Sequence, residues 1–240
     1  MLLNSIRLSL AALALLPATG LAQEAVALKQ AKLNIEHNAT DLDTGFQGFL
    51  DGEGWQSLIV TGPAGPVLRF EGLGTLGTLG LTELFFETTE PLNAEVPLDR
   101  VLANLPEGEY RFEGSMIDGG TTSGVAMLTH AIPAGPDLMS PAEGAVVPAV
   151  GTKVSWGKVT ETTTGAPATI IAYQLVIEKA VDPHPHMIGK FGLNIYLPPS
   201  VTELELPTGF LEPGSAYKWE VLAIEESGNQ TLSSGAFSTQ

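Results

Sequence analysis

From residue 29 onward the chain is built of short runs in which apolar and polar residues alternate, cut by Gly, Pro and Asn. A period of two marks half-buried strands. In the first half such runs cover 29–37, 56–61, 67–71, 80–88, 109–117 and 122–130. One stretch has a different period. Leu98, Val101, Leu102 and Leu105 stand at i, i+3, i+4 and i+7, the apolar stripe of a short helix. Pro97 suits its first turn, and Pro106 with Gly108 stops it. Two helical turns between strands suit a link from one sheet of a sandwich to the other. The Gly-Thr-Leu repeat from Gly74 to Gly80 reads as a bulged strand edge, because Gly weakens a strand interior.

Ile132-Pro133-Ala134-Gly135-Pro136 is the boundary signal, and a fresh set of strands follows it. The domains are therefore expected over 23–135 and 136–240. In the second, Ser140-Pro141 ends a strand and Lys153-Val154-Ser155-Trp156 places an inward Trp on the next. Ala172 to Glu178 alternates as a third. Leu211-Glu212-Pro213-Gly214-Ser215-Ala216-Tyr217 is a corner in which Pro-Gly turns the chain and the Tyr ring is buried, its hydroxyl bonded to backbone upstream. Tyr217 to Ile224 alternates again, and Ser227-Gly228-Asn229 turns into a last strand over 232–238. This half resembles a fibronectin type III domain. The resemblance covers about 100 residues and implies a binding or spacing role. The chain as a whole also resembles exported bacterial proteins with a C-terminal module of this kind. The fold class expected is all-β, with two sandwich-like domains. The first domain is matched to no family; its turn spacing, with Pro106-x-Gly108-x-Tyr110 leading into a strand, fits an immunoglobulin-like sandwich with a short helix.

The first 22 residues read as a signal peptide. Arg7 precedes an apolar run, Pro17 breaks it, and Gly20-Leu21-Ala22 supplies small residues before a cut. That run is shorter than the ~20 residues a bilayer demands, and no later stretch is longer. A periplasmic or secreted address follows, with no membrane span after signal removal. There is no cysteine, which removes disulfides, thiolate nucleophiles and Cys-ligated zinc. The net charge of −16 sets the chain against nucleic acid, whose phosphates need cations to replace their counterions. The acidic excess concentrates in the first half: residues 23–140 carry −12 and 141–240 carry −5.

Candidate chemistry is sparse. Asp41, Asp43, Asp51 and Glu53, with Asn38, form the densest set of oxygen ligands, and Asp41-Leu42-Asp43-Thr44-Gly45 begins like a calcium loop. It lacks a third acid or amide, and its Gly comes one place early; solvated turns use the same residues. Trp55, Phe46 and Phe49 stand close by and are more often core than a sugar platform. His184-Pro185-His186 puts two imidazoles on one side of an extended segment, with Asp182 as the near third ligand for a transition metal. Gly72-Leu73-Gly74-Thr75-Leu76-Gly77 is a literal G-x-G-x-x-G, but the Leu84-Phe85-Phe86 that follows reads as strand, whereas a dinucleotide site needs a helix start. Ser155-Trp156-Gly157-Lys158 matches S-x-x-K on a strand, where i and i+3 face opposite ways. Asn38-Ala39-Thr40 and Asn229-Gln230-Thr231 match the glycosylation sequon.

These readings point to an exported, non-enzymatic binding or adaptor protein whose partner is a protein or envelope component. No cofactor is expected, with calcium as the one candidate. The alternative is a calcium-stabilised carbohydrate-binding or accessory module. A hydrolase has no nucleophile–base motif behind it.

Overall fold

The computed structural model describes residues 24–240, so the expected signal peptide lies outside the described residues. In the first half the strands are β1 (Val26–Ala27), β2 (Gln30–Asn38), β3 (Asp43–Gly62), β4 (Gly65–Glu71), β5 (Leu81–Glu87), β6 (Gly108–Met116) and β7 (Thr121–Leu128). Two short helices interrupt them, α1 (Gly74–Leu79) and α2 (Leu98–Leu102). The second half contributes β8 (Leu138–Ser140), β9 (Ala145–Val147), β10 (Lys153–Trp156), β11 (Ile170–Lys179), β12 (Gly192–Leu197), β13 (Glu203–Glu205), β14 (Ala216–Glu225) and β15 (Gln230–Thr239). The protein is all-β, as the alternation predicts.

The first half is a sandwich whose two sheets share one strand. The 20-residue β3 pairs with β2 and β5 along its first part and with β4 and β6 along its second. Its register shifts between Asp51 and Trp55, where the Gly52-Glu53-Gly54 segment lets the strand bend. Only 56–61 of β3 reads as strand from the sequence, because Gly and Asp are depleted in strands. Leu33, Ile35, Phe46 and Leu50 from one layer meet Leu58, Val60, Tyr110, Phe112 and Leu128 from the other, with Trp55 fully buried among them. The link from β5 to β6 crosses between the layers, and α2 lies on it with Val101 buried against this core. Burying such a side chain contributes roughly 1.5–3 kcal/mol. The Tyr110 hydroxyl donates to the Pro106 carbonyl (2.8 Å), pinning the turn into β6.

The repeat over 74–80 is a helix, α1, and not a strand edge. Gly74 at φ 54° and Gly80 at φ 79° supply the left-handed residues at its two ends. Gly77 lies directly on the Gly72 carbonyl, where a Cβ would come within 2.5 Å of the oxygen. Glycine on the inner side of the turn thus lets a helix form against its own strand, while Leu73, Leu76 and Leu79 point to solvent.

The second half is a fibronectin type III-like sandwich. The three-stranded sheet β13-β10-β8 packs on the four strands β12-β11-β14-β15. Trp156 and Trp219 fill the core between them, with Tyr173, Leu175, Ile177, Val221 and Phe237. Tyr217 closes the expected corner: its ring is buried and its hydroxyl accepts the Glu212 N–H (2.8 Å).

The two halves are joined edge to edge. β15 pairs in parallel with β2 through Gln230–Glu36, Thr231–His37 and Leu232–Asn38, so one 12-stranded sheet runs through both. Asn229 locks this seam from within. Its Oδ1 accepts the Ile35 N–H (2.9 Å), and its Nδ2 donates to the carbonyls of Thr129 (2.9 Å) and Ala131 (3.2 Å) and to Thr129 Oγ1 (3.1 Å). The segment around Pro133 is zipped to the same seam, with the Thr231 hydroxyl donating to the Pro133 carbonyl. Ile132 belongs to the first core and Ala134 packs on the second, so the passage between cores takes two residues. The Asn229 sequon is thus a structural asparagine with its amide fully engaged.

Replacing Asn229 by Ala orphans the Ile35 N–H and two buried carbonyls. The expected cost is about 3 kcal/mol, a fall of roughly 6–12 °C in Tm. Calorimetry should also show the two sandwiches melting in separate transitions, whereas a single unshifted transition would mean that the seam is held elsewhere.

Candidate functional site

Where the sandwiches meet, the outer face of the shared sheet is concave. A groove of about 1170 Å³ lies between β2, β3 and β7 on one side and β11, β12, β14 and β15 on the other. Its walls carry Phe85, Val125, Met127, Ile171 and Tyr196, each at least half exposed. Its floor is mixed. Ala172, Val176, Leu222, Ile224 and Leu232 line it beside Gln174, Glu220 and Gln230, on the side of their strands away from the core. A strand that is apolar on both faces is normally covered on both. The clean alternation read over 217–224 holds only as far as Glu220. Val221-Leu222-Ala223-Ile224 serves core and groove at once, and that run of four is the sequence signal that reveals the floor.

Polar groups converge at one end of the groove. Glu36, Glu87 and Glu90 bring carboxylate oxygens within 4.8 Å of one another. Gly45 makes this possible. It faces Glu36 across the β2–β3 ladder, and a Cβ there would lie 2.7 Å from the Glu90 side chain that crosses it. Two amides support the trio: Gln230 donates to Glu36 and to Gln47 Oε1, and Gln47 donates to Glu87 (2.7 Å). Since Gln230 lies on β15 and the acids on the first half, the seam itself assembles this site. Burial raises the Glu90 carboxyl to about 7, helped by the charges of Glu36, Glu87 and Asp43. Burial likewise raises Glu36, and Glu220 further along the groove. No lysine or arginine pairs with Glu36, Glu90 or Glu220 among the described residues. Near neutral pH Glu90 is poised to take up a proton beside the other two carboxylates.

The residues singled out as calcium ligands do not meet. Asp41 lies in the β2–β3 turn, where Asn38 caps it by donating to Asp41 Oδ2 (3.1 Å). Asp43 opens β3, and Asp51 lies eight residues further along the same extended strand, about 26 Å away. Glu53 is paired with Lys29 (2.9 Å). Of the acids that do converge, Glu36 is far in sequence from Glu87 and Glu90, and the β2–β3 and β3–β5 pairings place them together. His184 and His186 share an exposed loop tip, their rings 5.4 Å apart, and no third ligand-bearing side chain joins them among the described residues. His37 is buried against Thr44 (2.8 Å), and His130 donates toward the Leu105 carbonyl (2.9 Å). The S-x-x-K serine is on β10 beside the core Trp156. The helix that the G-x-G-x-x-G motif requires does exist as α1, but it has six residues, and β4 and β5 pair with opposite parts of β3 instead of lying side by side.

No family model matches the chain, and no curated protein matches it. Among solved structures, it is similar to the chicken CNTN1 FN1-FN3 domains, at 12% identity and a TM-score of 0.31, over 90% of this chain and 69% of that one. No helix among the described residues is long and apolar enough to cross a membrane.

The trio makes stability depend on pH. Because the folded protein holds the Glu90 proton more tightly than the unfolded chain does, the contribution of Glu90 to stability is fully present below about pH 4.5 and is lost as pH rises through about 7. Glu90→Gln should flatten this slope and raise Tm by about 2–4 °C at about pH 8, the equivalent of ~1 kcal/mol. Melting curves across that range check both, and an unchanged slope would mean that the carboxylates do not interact.

Proposed function

We propose that this chain is an exported, non-enzymatic binding or adaptor protein of the bacterial envelope or periplasm. One observation carries the reading: the seam joins two sandwiches, and the face they share is a large open groove lined by exposed apolar side chains among acids and amides. Soluble proteins seldom leave a contiguous apolar surface without a partner for it. The fibronectin type III-like fold of the second half supports the same role, because rigid sandwiches commonly present surfaces and loops to partners. The groove is open and reaches across both sandwiches, which suits a macromolecular partner better than an enclosed small molecule. The strongly negative surface keeps the protein soluble and away from anionic lipid and nucleic acid.

The test is chemical cross-linking of tagged 23–240 in its own cell envelope, with bound proteins identified by mass spectrometry. One stoichiometric partner is expected, captured equally with and without a chelator. Met127→Asp with Ile171→Asp, two exposed groove positions that leave the cores intact, should abolish the capture. Absence of any partner would overturn the binding role, and capture that survives the double variant would move it away from the groove.

A further inference from the structure

The groove is charged as well as apolar, and acids outnumber bases in its lining by three to one. Glu36, Glu220 and Glu226 line it, and none of them forms an ion pair among the described residues. The chain does pair acids elsewhere, at Lys29–Glu53, Arg69–Glu71, Arg111–Glu109, Lys153–Glu203, Lys179–Glu212 and Lys190–Glu178, all outside the groove lining. Lys218 and Lys190 lie near enough to Glu220 to offset part of its upward shift, but neither pairs with it. The one base in the lining is Lys32, which lies over the Phe49 ring (5.8 Å) at the wall. Its charge is thus engaged with an aromatic face and not with the carboxylates.

Unpaired carboxylates half-removed from water are costly in the free protein. Burial has already pushed Glu36 and Glu220 upward, so part of their desolvation is spent before any partner arrives. A cation that reaches them gains attraction without paying that part again. Between these acids lie Leu222, Ile224 and Leu232 with Gln230 on the floor, and Tyr196, Met127 and Val125 stand on the flanking walls, so apolar side chains would find cover along the same path. A second copy of this chain fits poorly, since it would bring a net −16 against an acidic groove.

We propose that the groove docks a polypeptide segment carrying both basic and apolar side chains, its Lys or Arg residues meeting Glu36 and Glu220 and its apolar residues covering the floor between them. This rests on the binding role proposed above and names the chemistry of its partner. Because Glu36 stands on β2 and Glu220 on β14, the segment spans the seam and reads both sandwiches at once.

Fluorescence anisotropy with the intact 23–240 chain tests the idea. The probe is a labelled dodecapeptide of alternating Lys and Leu, with Lys–Ser and Glu–Leu peptides of equal length as references. The Lys–Leu peptide should bind most tightly, and the Glu–Leu peptide should not bind. Glu36→Gln with Glu220→Gln should weaken binding about tenfold. Glu113→Gln with Glu205→Gln, which removes the same charge from exposed strand positions outside the lining, should change it less than about twofold. Glu36→Gln with Glu220→Gln removes repulsion between acids, and Glu113 and Glu205 are exposed, so thermal melting should show both double variants folded. Equal losses in the two variants, or equal binding of the Lys–Ser peptide, would reduce the effect to net charge and overturn the proposal. So would a dimer in sedimentation that Met127→Asp dissolves, because the groove would then belong to a second copy. If envelope capture succeeds and survives Glu36→Gln with Glu220→Gln, the adaptor role stands and the basic partner alone is refuted.

Discussion

The whole arrangement depends on a parallel strand pairing only three residues long, clamped by the side chain of Asn229. Three ladder pairs between β2 and β15 are too few to hold two domains at one angle. Asn229 adds contacts of another kind, because it reaches back from the hairpin into both the β2 backbone and the passage between domains. An amide whose donor and acceptor are both engaged away from water is expensive to disengage. The passage around Pro133 is thereby tied to both sandwiches by side-chain hydrogen bonds.

That tie has a chemical consequence. Gln230 follows Asn229 directly, so the register that buries one amide delivers the next to Glu36 and Gln47. The carboxylate trio and the groove therefore share a structural cause. Edge-to-edge joining also disposes of a hazard. The free edge of β15 would invite non-specific pairing, and β2 covers it. The concavity left beside the join carries apolar side chains because parts of the strands flanking it, such as Val221–Ile224, are apolar on both faces.

Much of this fold is legible in local pattern. The strands of the second half and the Tyr217 corner follow from alternation and from Pro-Gly chemistry, which act within a few residues. The α2 stripe follows from its period of 3.6. The same local logic misreads α1, where Gly77 makes room against Gly72 by a close approach that no propensity records. It also breaks β3 into pieces, because strand composition is sparse where Gly52 and Gly54 allow the bend. The candidate site was hidden for a similar reason. Asp41, Asp43 and Asp51 are near in sequence and look like ligands, yet an extended strand carries its residues about 3.3 Å apart each. Glu36 is far in sequence from Glu87 and Glu90, and the β2–β3 and β3–β5 ladders gather them.

The sequence by itself determined the all-β class, the inward Trp and Tyr of the second sandwich, the passage near Pro133 and the acidic surface. Each of these is written in residue type, spacing or simple charge, and none needs to know what lies across the fold. Only the tertiary structure decided that the two sandwiches share one sheet, that Asn229 is a clamp, that Glu90 crosses Gly45 to meet Glu36, and that the outer faces of β11 and β14 are a groove floor. These depend on register between strands as much as 194 residues apart, and pairing at that distance is selected by the fit of whole surfaces and not by any local preference.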